Sequence, residues 1–167
     1  MYGIIPTHGE RERTGEKMLK IRKNVSAAIS QGLCVVVFLA LTGLAIFLPR
    51  LLPAVLEFFG KDDSLYVPTL IFPYLSLIPG YAADVSLFLL LHRIRRGMVF
   101  NDINVSLMRL ISWCCFAEAV LYAAFGFWYL TALMVAFVFA FAGMVVRVLK
   151  NVLEEATAIK VENDYTI

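Results

Sequence analysis

The sequence predicts an all-α, polytopic membrane protein: a bundle of four transmembrane helices with both termini in the cytoplasm. Three observations carry this. The 167 residues are 60% hydrophobic and only 17% charged, against about 25% charged in an ordinary soluble domain. The mean hydropathy is +0.78, which implies more apolar surface than a water-soluble chain of this size can bury. The cationic residues fall almost entirely on one side of the apolar runs. This composition disfavours a disordered chain, a collagen, a disulfide-rich scaffold and a soluble enzyme.

Each element follows from the length of its apolar run, since about 20 residues cross the hydrocarbon core. Residues 1–24 are polar, contain Gly3, Pro6, Gly9 and Gly15, and predict a disordered cytoplasmic segment. Val25 to Leu48 carries no charge and predicts the first span. It is read as retained, because it ends in Leu48-Pro49-Arg50 and not in a small-residue cleavage site. Residues 49–64 begin apolar and are expected to lie on the membrane surface. Residues 65–91 contain only Asp84 and give the second span. Ile103 to Val146 is too long for one crossing and must fold back. Gly126 permits the turn, and Trp128 and Tyr129 suit the membrane interface. The third and fourth spans are therefore placed at 105–125 and 128–149. The whole membrane domain is 25–149, followed by a tail over 150–167.

Orientation follows from Lys and Arg. Of the 15 such residues, all but Arg50 and Lys61 fall on the side that holds both termini and the 92–104 loop. The positive-inside rule makes that side cytoplasmic. This bias also makes the third span necessary, although Arg109 and Glu118 interrupt it. Each charge near the centre of a span costs about 2.5–3.5 kcal/mol. Without that span, Arg147 and Lys150 would lie outside.

Polar residues inside the spans are the candidate functional groups. Asp84 lies eight residues before His92, roughly 12 Å along the helix. Arg109 lies early in the next span, so an Asp84–Arg109 pair is geometrically feasible. Such a pair serves either to cancel two buried charges or to form a proton or ligand site. Glu118 is deeper and has no cation at its level. It is expected to carry its proton and to bond a hydroxyl such as Tyr122, Tyr74 or Tyr81. Pro73 and Pro79, followed by Gly80, are helix-kink candidates, because each proline removes a backbone hydrogen bond. Gly32 and Gly43 share one face of the first span. Ala119, Ala123, Ala136, Ala140 and Gly143 allow close approach of the third and fourth. These small residues suit core packing first and a homodimer interface second. Cys34, Cys114 and Cys115 read as buried apolar residues, and no metal-ligand spacing is visible. No P-loop, dinucleotide fingerprint, zinc-protease motif or nucleophile elbow is present, so no catalytic residue, metal or cofactor is assigned and an enzyme is not expected. Direct nucleic-acid binding is not expected either, since the basic loops are short and sit at the membrane.

Two cytoplasmic segments are candidate partner sites. The loop HRIRRGMVFNDIN, residues 92–104, carries Arg93, Arg95 and Arg96. Gly97 is placed to end the second helix, and Asn101 or Asp102 to cap the third. In the tail, Val148, Val152, Ala156 and Ile159 recur at helical spacing, with Glu154, Glu155 and Lys160 off that stripe. An apolar stripe beyond the membrane end requires lipid or a protein partner.

The run from Leu90 through His92-Arg93-Ile94-Arg95-Arg96-Gly97 to Asn104, continuing to Leu107-Met108-Arg109, resembles a signature of the bacterial membrane-protein family known as domain of unknown function 2975. The ending Glu154-Glu155-Ala156 through Glu162-Asn163-Asp164-Tyr165-Thr166-Ile167 resembles that family's acidic C-terminus, with Tyr165 where leucine is usual. The resemblance covers about residues 30–167. It implies a four-span, multi-pass protein of the bacterial inner membrane, in a family whose members are often encoded beside a small helix-turn-helix regulator. It implies no activity or ligand. The sequence is thus read as a regulatory or sensor subunit that binds a cytoplasmic partner, such as that DNA-binding regulator. The contacts would come from the 92–104 loop and from tail residues Glu154, Glu155, Glu162, Asn163 and Asp164. The alternatives are a small transporter or channel component, for which a homodimer would be needed, and an accessory subunit of a larger membrane complex.

The predicted orientation is checked by single cysteines in a cysteine-free background. A membrane-impermeant maleimide is expected to label Lys61→Cys in intact cells and Arg96→Cys only after permeabilisation. The reverse pattern would invert the topology.

Overall fold

The computed structural model describes residues 8–58, 60 and 65–165, and within these the side chains of 28–58, 60 and 65–163. Four helices follow one another: α1 (His8–Phe58), α2 (Tyr66–Arg95), α3 (Asp102–Phe125) and α4 (Leu130–Tyr165). All four contain a stretch long and apolar enough to cross a membrane: Ala28–Phe58, Tyr66–Arg95, Asp102–Phe125 and Leu130–Asn163.

α1 departs from the sequence reading at both ends. Helix begins at His8, where disorder was expected through residue 24. After Pro6 this stretch holds no further proline, and it is rich in Glu, Arg, Lys, Met and Leu, all good helix formers. Residues 1–7 lie outside the described residues. At the other end the helix does not stop at Leu48 but runs through Pro49 and Pro53 to Phe58. The backbone carbonyl of Ala45 is the one that Pro49 leaves without an amide donor. It accepts a hydrogen bond from the Tyr74 hydroxyl of α2 at 2.7 Å. A neighbouring helix thus supplies the partner that hydrocarbon cannot.

The turns have local causes. Gly97 adopts φ +81° after the last turn of α2, and its amide bonds Ile94 while Met98 N–H bonds Arg93. This is a left-handed glycine cap. Asn101, in extended conformation, caps α3 by accepting from Ile103 N–H at 2.9 Å. α3 ends at Phe125, and the chain reverses over Gly126–Tyr129. A side chain on Gly126 would overlap Leu133, so the tightness of this reversal depends on glycine there.

The helices do not close into a bundle. Among the described residues, α1 packs on α2, α2 on α3 and α3 on α4, while no backbone contact joins α1 to α3 or α4, or α2 to α4. The architecture is a serial layer of helices. The α1–α2 seam is held by polar clasps: Arg95 Nη1 donates to Gln31 Oε1 at 2.7 Å, and the Thr42 and Tyr81 hydroxyls bond at 2.9 Å. Near the far end, Thr69 and Tyr129 share a buried hydroxyl pair at 3.0 Å.

The α3–α4 seam uses small residues. Ala119, Ala132 and Ala136 are buried, and Ser112 Oγ donates to the Gly143 carbonyl at 3.0 Å. A Cβ on Gly143 would lie 3.2 Å from Cys115 Cβ and 3.3 Å from the Phe116 ring. Ala123 is exposed and Ala140 half-buried. Gly32 and Gly43 belong to no seam among the described residues, since none of these comes within 4 Å of a Cβ at either position.

This contrast is testable by thermal unfolding in detergent. Gly143→Val is expected to cost about 1–3 kcal/mol by overpacking. Gly43→Val is expected to leave the midpoint unchanged or slightly raised, because a mid-helix glycine is itself unfavourable by about 1 kcal/mol. Equal losses at both sites would show that α1 packs elsewhere through its glycine face.

Candidate functional site

Helix α2 places Ser76, Gly80 and Asp84 at four-residue spacing, and therefore on one face. That face meets Glu118 of α3. Glu118 is 5% exposed, and its Oε2 accepts from Ser76 Oγ at 2.6 Å. Its Oε1 lies 3.7 Å from where a Gly80 Cβ would stand, so the absent side chain of Gly80 leaves room beside the carboxyl. Around this pair lies a cavity of about 340 Å³. It is reached from all four helices, by Leu41 of α1, Asp84 of α2, Glu118 and Tyr122 of α3, and Phe139 of α4. The Tyr122 and Phe139 rings stack with centroids 5.7 Å apart and an interplanar angle of 14°.

The structure gives Glu118 a different partner from those expected. None of the three tyrosines bonds it. Tyr74 is turned to the Ala45 carbonyl, Tyr81 to Thr42, and Tyr122 to the Phe139 ring. Ser76 takes the role because it sits one turn before the gap at Gly80. The spacing 76–80–84 was the available signal. Pro73 and Pro79 both lie inside a continuous α2 and, like Gly80, line the cavity.

The feasible Asp84–Arg109 pair is not formed. Arg109 Nη2 instead meets Glu154 Oε1 at 3.5 Å, and Lys150 Nζ donates to Glu154 Oε2 at 2.6 Å. The reason is reach. α4 runs on beside the start of α3 and brings a carboxylate to Arg109 outside the core. Asp84 stands instead between the cavity and a groove of about 250 Å³ bordered by Cys34, Phe38 and Phe88.

The α2–α3 turn is a hydrogen-bonded knot. Arg93 Nε donates to Asn104 Oδ1 at 2.9 Å, and Arg93 Nη2 to Asn101 Oδ1 at 3.1 Å. Asn104 is 0% exposed, and its Nδ2 donates to the carbonyls of Met98 and Val99 at 2.5 and 2.8 Å. Arg93 and Arg95, read from the sequence as partner-binding candidates, are thus engaged within the chain, the second with Gln31. Arg96 is exposed. Asn104 was not singled out from the sequence, and a polar residue in the first turn of a span was the only hint.

α4 has 36 residues, about 54 Å of helix. About 20 of them suffice to cross, which takes the crossing from Leu130 to near residue 150. The remainder packs on the turn. Thr157 is buried, and Lys160 Nζ stands 6.0 Å from the Phe100 ring centroid. Glu154, in this extension, has its carboxyl held below the usual range, chiefly by the hydrogen bond and charge of Lys150. Glu155, Glu162 and Asn163 are exposed. The side chain of Asp164 lies outside the described residues.

Fold and cavity together define a membrane protein of four spanning helices whose mainly apolar core cavity is lined by two carboxyl groups. The chain belongs to the family described as "Protein of unknown function (DUF2975)", whose model matches residues 57–167. That range takes in α2 to α4, the knotted turn and the tail. An uncharacterized membrane protein of Bacillus subtilis (strain 168), YoaS, is 32% identical over 147 residues, covering 80% of this chain and 92% of its own length. No solved structure matches.

Asn104→Ala removes the Arg93 acceptor and strips two carbonyls of their donor. Each unsatisfied buried group costs about 1–3 kcal/mol. The variant is expected to unfold several degrees lower in detergent, whereas Arg96→Ala, on an exposed side chain, is expected to match the parent. An unchanged Asn104→Ala midpoint would mean that the knot contributes no stability.

Proposed function

We propose that this chain is a membrane-anchored regulatory or sensor subunit. Its docking surface is the platform made by the 92–104 turn and the α4 extension, placed in the cytoplasm of a bacterial cell by the positive-inside bias. The observation that carries this is an apolar stripe on the extension that the chain itself leaves uncovered. On the extension, Val152 and Ile159 are more than half exposed, at 60% and 57%, and they continue the lipid-facing line of Val148 at the end of the crossing. The opposite face of the same helix is fixed through Thr157, Glu154 and Lys160. A helix so held presents a rigid apolar edge, which suits a helix-in-groove partner. A small helix-turn-helix regulator is the partner the family resemblance implies. The exposed acidic residues Glu155 and Glu162 beside the stripe suit a basic protein.

A second reading, as a small transport component, draws support from the core cavity with its two carboxyls.

Crosslinked co-purification from native membranes tests the first reading. The regulator is expected with the full chain and absent with Val152→Glu/Ile159→Glu, a double change that leaves the internal contacts of α4 in place. Target transcription is expected to shift in the same variant. Recovery of integral-membrane partners alone, unaffected by the double change, would overturn the docking role.

A further inference from the structure

The core cavity is lined by acidic side chains and by no basic one. Two carboxyl side chains, Asp84 and Glu118, line it, and no Lys, Arg or His is among the residues that do so. The cations closest in sequence are used elsewhere: Arg109 by Glu154, Arg93 by the turn and Arg95 by Gln31. Carboxyls in a membrane interior are costly and require a partner. Ser76 satisfies one oxygen of Glu118. The other oxygen faces the space that Gly80 leaves open. Asp84 lies one helical turn from Gly80, about 6 Å along the axis.

The rest of the lining sets the class of the missing partner. An inorganic cation needs many oxygens, six to eight for calcium, and beyond the two carboxyls, Ser76 and Tyr122 this wall is mainly aliphatic and aromatic, with Val37, Leu41 and Leu44 from α1. The stacked Tyr122 and Phe139 rings offer π-faces, which attract cations when desolvated. A volume of about 340 Å³ falls within the range of small-molecule sites, about 300–1,000 Å³. An apolar chamber with aromatic walls and buried counter-charges suits a ligand that is itself greasy and positive.

We infer that this cavity binds a lipophilic organic cation, with Glu118 and Asp84 as its counter-charges and the Tyr122–Phe139 stack as its aromatic wall. The site is independent of the docking platform, and neither depends on the other being right. Gly80 acts as the floor of the chamber, since any side chain there enters it. Glu118 fixes the depth of the charge, and Asp84 extends the negative field toward the α1–α2 groove.

The test uses the full chain in a nonionic detergent, with radiolabelled tetraphenylphosphonium as the probe and protein-free micelles as background. Saturable binding of one probe per chain is expected. Glu118→Gln, which keeps a hydrogen-bonding side chain of the same size, is expected to weaken it at least ten-fold, and Asp84→Asn at least three-fold. Gly80→Val is expected to abolish binding by filling the chamber while leaving both carboxyls present. The neutral analogue tetraphenylsilane is expected not to compete. Equal binding by Glu118→Gln, or equal competition by the neutral analogue, would show an apolar cleft with no cation preference and overturn the inference. Absence of saturable binding would overturn it as well. Should Glu118→Gln fail to fold by size exclusion, Asp84→Asn and Gly80→Val decide the matter. The tail variant Val152→Glu/Ile159→Glu is expected to bind the probe normally, which separates this site from the docking surface.

Discussion

Hydrocarbon offers no partner to a backbone carbonyl, and this chain places four prolines inside helices that cross it. Each proline strands the carbonyl four residues earlier, at a cost of about 3 kcal/mol or more if nothing answers it. At Pro49 the answer is visible: the Tyr74 hydroxyl reaches across the α1–α2 seam to Ala45. That bond satisfies the carbonyl where α1 runs on past Pro49, and it ties α2 to α1. Further clasps at Thr42–Tyr81 and Gln31–Arg95 then set the register of the two helices at other depths. Since lipid is as apolar as leucine, such polar clasps and close packing of small residues drive helices together where the hydrophobic effect cannot. The two devices divide the molecule. The α1–α2 seam relies on hydroxyl and amide bonds, and the α3–α4 seam on Gly143 and its alanine neighbours.

The serial layer follows from this division. Each seam forms between chain neighbours joined by a short connection, and nothing in α1 reciprocates α4. The glycine face of α1 is consequently open at Gly32 and Gly43. The cavity gathers side chains from all four helices although the outer two do not pack on each other. A closed bundle would fill its centre with interdigitating side chains. Here Gly80 and the small Ala83 leave that centre hollow.

Much of the fold was legible because its causes are local. Apolar run lengths specify four spans. Gly97, Asn101 and Gly126 mark the turns, since a positive φ, an N-cap and a close approach each need a particular residue type. The family signature around His92–Asn104 was legible as a pattern, yet its physics was not. Its arginines suggested a cytoplasmic partner site, whereas Arg93 is bound inward by two asparagines. Long-range partners were the illegible part. Hydropathy gives depth but not azimuth, so it could not choose Ser76 over Tyr122 for Glu118. It also could not know that α4 would deliver Glu154 to Arg109. The helix through Pro49 was missed for the same reason, because its rescue comes from Tyr74, 29 residues from the Ala45 carbonyl that it satisfies.

The pairing of Arg109 with Glu154 has a consequence for the core. Had Arg109 turned to Asp84, the two charges would have cancelled and the cavity would hold only one carboxyl. By extending α4 past the membrane end, the chain draws that cation out to the 102–109 end of α3, where Lys150 joins it around Glu154. The signature turn absorbs Arg93 in the same way, and Gln31 of α1 takes Arg95. Three of the four arginines between residues 93 and 109 are therefore committed to the ends of helices, and the two acids at the centre have no Lys or Arg among the residues that line the cavity. The same length of α4 that creates an exposed apolar edge thus keeps Arg109 away from the carboxyls of the cavity. The proposed docking platform and the proposed cation cavity are distinct sites with a common structural origin.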